Sequence, residues 1–336
     1  MKKKTGVAQS LAVSVGLAAA LFLLPLFCIT PAREALFNRE ERVEETPPPP
    51  FVSGVADGER VLKVLDGETV TEMDLGTYLL GVLRAEMPAS FPVEALKAQA
   101  VAARTYTCYQ IQTASHHENA DICTDHTCCQ AYLDEETARA NWGKEANTYE
   151  EKLRTAVKET DGEVILYDAQ PILAVFHSSS AGLTRPAGEV WLNGLPYLQA
   201  VESPEDTQAI PNYYSRVEVS ARELREKFLA AYPEMDFSGE KTSWLTGAVT
   251  DSAGSVDTIT VGGKTIKGAQ VRSVLGLRSA CFTWEAGETF VFYVTGYGHG
   301  VGLSQYGAAA MAEGGADYRE ILTHYYSSVE IGNMTA

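Results

Sequence analysis

Apolar and polar positions follow several distinct rhythms along this chain. From Gly6 to Thr30 no charged residue interrupts an apolar stretch that includes Leu17-Ala-Ala-Ala-Leu-Phe-Leu-Leu24, and about 20 apolar residues suffice to cross a bilayer as a helix. Lys2, Lys3 and Lys4 precede it. Positive charge stays on the cytoplasmic side, so residues 1–5 are expected in the cytoplasm, 6–30 in the membrane and the remainder outside. A cleaved signal peptide is the competing reading, but its apolar region runs only about 7 to 15 residues, and Thr30-Pro31-Ala32 is a faint cleavage site. Residues 31–55 turn charged and then proline-rich at Pro47 to Pro50, which predicts an extended spacer.

Beyond the spacer the period shortens to two. Arg60-Val-Leu-Lys-Val-Leu65, a turn at Asp66-Gly67 and Thr69 to Thr71 predict an antiparallel hairpin. Asp74 then caps a helix striped by Tyr78, Leu79, Val82 and Leu83, which stops near Met87 because Pro88 disfavours a helical residue before it. Pro92 opens a second, alanine-rich helix to about Gln112, with Glu94 at its positive end. Ile172-Leu-Ala-Val-Phe176 and Phe290-Val-Phe-Tyr-Val294 read as strands, and a helix runs through Ala308 to Glu313. Within 200–290, Ser220 to Ala231 is a capped amphipathic helix and Val256 to Ile266 a hairpin turned at Gly262-Gly263. No repeat of about 20 to 50 residues is present, which excludes a solenoid or propeller. The expectation is an α+β fold over 56–336, antiparallel sheet and helices around one cleft, with 200–290 a possible elaboration.

Composition narrows the function. With 45% hydrophobic and 21% charged residues the chain is a folding one, and a net charge of −17 argues against nucleic acid as a partner. Candidate chemistry gathers in a few segments. Glu86, in Arg84-Ala-Glu-Met-Pro88, lies at a helix C-terminus, where the dipole raises a carboxyl pKa and suits a general acid; by this segment alone it also reads as an ordinary solvated glutamate. His177-Ser178-Ser179-Ser180-Ala181-Gly182 leaves a strand end, and neighbours His177 and Ser178 point to opposite faces, a poor catalytic pair. Thr295-Gly-Tyr-Gly-His-Gly-Val-Gly-Leu-Ser-Gln-Tyr-Gly307 has neither dinucleotide nor Walker spacing; its alternate glycines suggest close backbone approach to a ligand, and Tyr297, His299, Gln305 and Tyr306 suggest a sugar-binding lip.

Three thiols and three imidazoles fall between His116 and Cys129. Outside a cell a disulfide is the ordinary expectation, yet adjacent Cys128 and Cys129 cannot bond each other without strain, and the mixture suits tetrahedral zinc. There is no His-Glu-x-x-His helix of a zinc peptidase or amidase.

Taken together, Tyr78-Leu-Leu-Gly-Val-Leu-Arg-Ala-Glu-Met-Pro88, Phe91-Pro92, Glu94 to Tyr106, Phe176 to Gly182 and Gly296 to Ala308 resemble the stage II sporulation protein D family, in its motif order, over about residues 60 to 330. The resemblance implies a lytic transglycosylase acting on peptide-stripped peptidoglycan glycan strands during forespore engulfment. It implies Glu86 as the essential acid. Arg104, Tyr106, His177, Ser178, Tyr297, His299, Gln305 and Tyr306 are then expected at the sugar. Clostridial-type members suggest His117, Cys123 and Cys129 as zinc ligands, with His126 and Cys128 as alternatives. A partner amidase and engulfment membrane proteins are the implied partners; a noncatalytic wall-binding modifier of an amidase is the rival reading.

Overall fold

The computed structural model describes residues 56–113, 117–191 and 193–334. The anchor and spacer expected over 1–55 therefore lie outside the described residues, and among the described ones no helix is long and apolar enough to cross a membrane.

The predicted hairpin forms as β1 (Val61–Asp66) and β2 (Thr69–Asp74), turned at Gly67 with φ +60°, and β3 (Ile122–Cys123) adds to β1 in parallel. Asp74 accepts the Thr77 N–H and starts α1 (Leu75–Glu86), which ends where Pro88 demands. α2 (Val93–Gln112) follows Pro92 and is buried nearly all round, its alanines letting neighbours approach closely. Around it pack α1, the helix Ala146–Glu159 (α4) and β4 (Glu163–Tyr167), which pairs with β5 (Gln170–Pro171), while α3 (Glu135–Trp142) packs on α1 and α4. β6 (Phe176–His177) and the short α5 (Ala187–Val190) come next.

Residues 214–295 build a second apolar core. It comprises β7 (Tyr214–Ser220), α6 (Ala221–Ala231), β8 (Leu245–Thr250), β9 (Val256–Val261), β10 (Lys264–Lys267), α7 (Gly268–Leu275), β11 (Phe282–Glu285) and β12 (Thr289–Thr295). The chain then returns to the first core through β13 (Leu303–Ser304), α8 (Gln305–Glu313), α9 (Tyr318–Tyr325) and β14 (Glu330–Asn333), the last pairing with β4.

The α+β class holds, but the expected sheet is several small ones, and β6 pairs with β13 in parallel. The run 172–176 is not one strand. Only Phe176 joins a ladder, because Ile172 bonds back to Ile165 while the far end turns to meet Leu303; burial without pairing explains its apolar composition.

Candidate functional site

Three segments remote in sequence close on one cleft of about 1000 Å³. The Phe176–Gly182 loop and the glycine run are laced by backbone bonds, Ser179 N–H to Tyr297 O at 3.0 Å and Tyr297 N–H to Ser179 O at 2.8 Å. A Cβ on Gly302 would lie 2.1 Å from the Val175 oxygen, and one on Gly298 2.7 Å from the His177 Cβ. These glycines thus admit close approach of other protein atoms, whereas the sequence had suggested close approach of a ligand. Gln305 joins the third segment to the first, donating from Nε2 to the Glu86 carbonyl at 2.9 Å, and Tyr306 meets the Phe91 ring edge-on at 5.0 Å.

Glu86 is the last residue of α1 and faces the cleft, half-buried. Burial raises its pKa above the ordinary carboxyl value; the Ala131 N–H, donating to Oε1 at 2.8 Å, and nearby His126 pull the other way. Among the described residues lining the cleft it is the sole carboxylate. Desolvation, more than the helix dipole, makes it a proton donor.

Two imidazoles, His177 buried and His299 half-buried, stand on the glycine-run wall with rings 5.6 Å apart. His177 Nδ1 donates to the Val301 oxygen at 3.1 Å, so its Nε2 carries a lone pair; that atom is buried and meets no hydrogen-bond partner. His299 Nδ1 accepts the Val301 N–H at 3.0 Å. Burial lowers His177 to about 3 and His299 to about 4, with Arg272 adding repulsion at His299. Both stay neutral in ordinary buffers and serve as hydrogen-bonding groups, not cations.

Beside Glu86, the Nε2 of His117 and the thiols of Cys123, Cys128 and Cys129 lie within 4.8 Å of one another, a donor set able to hold a metal. His117 Nε2 is 3.7 Å from Cys128 Sγ and 3.6 Å from Cys129 Sγ, and the two sulfurs are 3.9 Å apart. No disulfide joins them; a bond needs about 2.05 Å. Cys128 thus joins the three expected ligands instead of replacing one. His126 stays outside the cluster, exposed on the cleft rim. The loop is anchored where Ile122 and Cys123 pair with β1 and Tyr78 Oη donates to the Cys123 oxygen.

Tyr106, His177, Ser178, Tyr297, His299, Gln305 and Tyr306 all line the cleft. Arg104 does not: it is fully buried inside α2's packing, bidentate to Asp57 at 2.6 and 2.7 Å and bonded to the Glu163 carbonyl. Its place on the inner face of α2 makes it a core cation, although its neighbours in the motif surround the site. Sequence reasoning missed Trp191 and Arg272, which line the cleft from segments without a motif. It also missed Glu205, whose Oε1 accepts the Ser180 N–H and the Ser304 hydroxyl, each at 2.6 Å, and so ties the two loops together. Nothing in Glu202-Ser-Pro-Glu-Asp206 distinguishes it from a solvated loop acid.

Fold and site define a mixed α+β protein with a polar, one-carboxylate cleft beside a thiol–imidazole cluster. The family model described as Stage II sporulation protein, SpoIID, matches residues 66–167. The chain is 36% identical over 272 residues to stage II sporulation protein D of Bacillus subtilis (strain 168), covering 80% of this chain and 77% of that protein. It is 36% identical over 266 residues to the Bacillus amyloliquefaciens protein of the same name, covering 78% and 75%. The chain belongs to the stage II sporulation protein D family. An amidase enhancer of Bacillus subtilis (strain 168) is 28% identical over 306 residues, 74% of this chain and 39% of its own.

Proposed function

We propose that the protein is a lytic transglycosylase that cuts the MurNAc–GlcNAc bond of peptide-stripped peptidoglycan strands during engulfment, held outside the cell by an anchor over 6–30. The observation that carries this reading is that Glu86 is the one carboxylate lining the cleft among the described residues. Hydrolysis of a glycoside by the common route takes two carboxylates, one as acid and one as nucleophile or base. Here neutral Glu86 donates its proton to the leaving glycosidic oxygen as the C1–O bond breaks. The muramic C6 hydroxyl closes on C1, and the Glu86 carboxylate takes the hydroxyl proton, so no water is consumed and the product ends in a 1,6-anhydro ring. Holding the hydroxyl on the same sugar supplies the effective molarity that a second acid would otherwise have to replace. Tyr297, Tyr306 and Trp191 offer aromatic faces to the sugar rings.

Zinc is the metal we assign to the cluster. The donor set suits it, with His117 Nε2 3.7 Å from Cys128 Sγ and 3.6 Å from Cys129 Sγ, the two sulfurs 3.9 Å apart and all four donors within 4.8 Å of one another, and zinc takes sulfur and nitrogen together. His117, Cys123, Cys128 and Cys129 would hold it, and their loop, which delivers the Ala131 N–H to Glu86, would be braced by its binding.

Mass spectrometry of digested peptide-free glycan tests the reaction: 1,6-anhydro ends are expected from the wild type and about 10² to 10⁴ times fewer from Glu86→Gln over the same time. The relative named an amidase enhancer keeps a second reading in play, a wall-binding modifier of an amidase. Intact glycan together with stimulated stem-peptide release by an added amidase would establish that reading and overturn the first.

A further inference from the structure

Arg272 occupies an unusual electrostatic position. It lies in α7, within the second core, where buried Val271 and Leu275 fix the helix and leave Arg272 half-buried in the cleft wall. Gly276, at φ +70°, turns the chain so that the Arg272 Nε–H reaches the Leu277 carbonyl at 3.3 Å, which restrains the side chain. The buried guanidiniums of Arg84, Arg104 and Arg185 each face a carboxylate, Glu150, Asp57 and Asp251 respectively. Among the described residues Arg272 has no such partner; the charged or ionisable groups acting on it are Tyr297 and Arg185. His177 and His299, which feel its charge, are themselves neutral.

A guanidinium in this setting bears a desolvation cost that no carboxylate among the described residues offsets, although the chain carries a net charge of −17. An anion on the ligand offsets it, and guanidinium geometry matches a carboxylate. On a glycan of amino sugars the group of that class is the lactyl carboxylate of a muramic residue. It is an anion when the stem peptide is gone and a neutral amide when the peptide is attached.

We propose that Arg272 forms an anion subsite that reads the free lactyl carboxylate of a peptide-free muramic residue bound in the Glu86 cleft. The inference rests on the glycan reading above and assigns its substrate preference to one residue of the 214–295 core. That core then takes part in substrate selection.

The test is a binding cycle on the full chain in detergent, in a Glu86→Gln background so that nothing is cleaved. Two peptide-free glycan oligosaccharides serve as probes, one with free lactyl acids and one with the same acids converted to methylamides. With Arg272 present the methylamide is expected to bind about tenfold more weakly, one charge-assisted bond lost. Arg272→Gln should bind the acid as weakly as the amide, and Arg272→Lys should keep part of the preference, which separates lost charge from lost fold. Equal affinity for acid and amide with Arg272 in place, or an undiminished preference in Arg272→Gln, overturns the subsite alone. Failure to bind either oligosaccharide overturns the glycan reading and the subsite together.

Discussion

Opposing influences meet at Glu86, where burial favours the protonated form and the Ala131 N–H and His126 favour the anion. The first wins, so the folded chain holds this proton more tightly than the unfolded one, and its contribution to stability falls as pH rises above the ordinary carboxyl range of about 4.3. Glu86→Gln is therefore expected to melt no lower than wild type at pH 7.5, to lose that relative advantage near pH 4, and to turn over glycan about 10² to 10⁴ times more slowly. A variant that melts lower than wild type at pH 7.5 would show that the anion is the favoured form. The imidazoles have the opposite sign. Their folded values of about 3 and about 4 lie below the ordinary value of about 6.5, so the unfolded chain takes up protons first and stability is lost as pH falls from about 6.5 toward 4. Denaturant titrations of His177→Asn should show a shallower decline over that window; an unchanged slope would exclude His177 as its source. The motifs made Glu86 and the imidazoles legible in sequence. Arg104 belongs to the same motif and was misread, because only the helix packing reveals which face it occupies.

At the scale of elements, local rules were sufficient wherever caps and periods decided the structure. Asp74, Pro88, Pro92 and Ser220 set helix ends as their chemistry requires, and Gly262-Gly263 turns its hairpin. They failed at 172–176, where the run is apolar because it packs into the first core with only Phe176 in a ladder, and they gave no sign of the parallel pairing of β6 with β13. The loop from His117 to Ala131 offers a test of coupling between elements. Removing the metal with a chelator should lower the melting temperature, because ligand binding and folding are linked, and should slow cleavage by loosening the Ala131 bond to Glu86. Elemental analysis is expected to find about one zinc per chain, lost in Cys128→Ser or Cys123→Ser and kept in His126→Ala; metal retained in both serine variants would reject this ligand set. The Arg104–Asp57 pair ties α2 to the segment before β1. Asp57→Asn leaves a guanidinium buried without its counter-charge and should cost about 3 to 5 kcal/mol in denaturant unfolding. Glycan affinity of the folded fraction should not change. A selective loss of affinity without loss of stability would return Arg104 to the site.

Across the whole molecule, two apolar cores must hold a fixed relation if Glu86 from one and Arg272 from the other are to meet the same glycan. The sequence marked 200–290 as an elaboration but gave no sign of how it is fastened, since the fastening is a contact between residues 66 positions apart. Arg185, beside the glycine run, pairs with Asp251 of the second core, their side chains 6% and 1% exposed. The same guanidinium donates to the His299 carbonyl, and Asp251 also accepts the Ala253 and Ser255 N–H groups. Breaking one side of such a pair strands the other charge, whereas replacing both removes the desolvation cost along with the attraction. Asp251→Asn and Arg185→Met are each expected to destabilise the protein by about 3 to 5 kcal/mol. The double variant should be less destabilised than the sum of the two. Because the pair backs His299, the single variants that remain folded should also bind peptide-free glycan more weakly. Single-variant costs below about 1 kcal/mol, or strict additivity in the double variant, would mean that apolar contacts and backbone bonds hold the two cores without this pair.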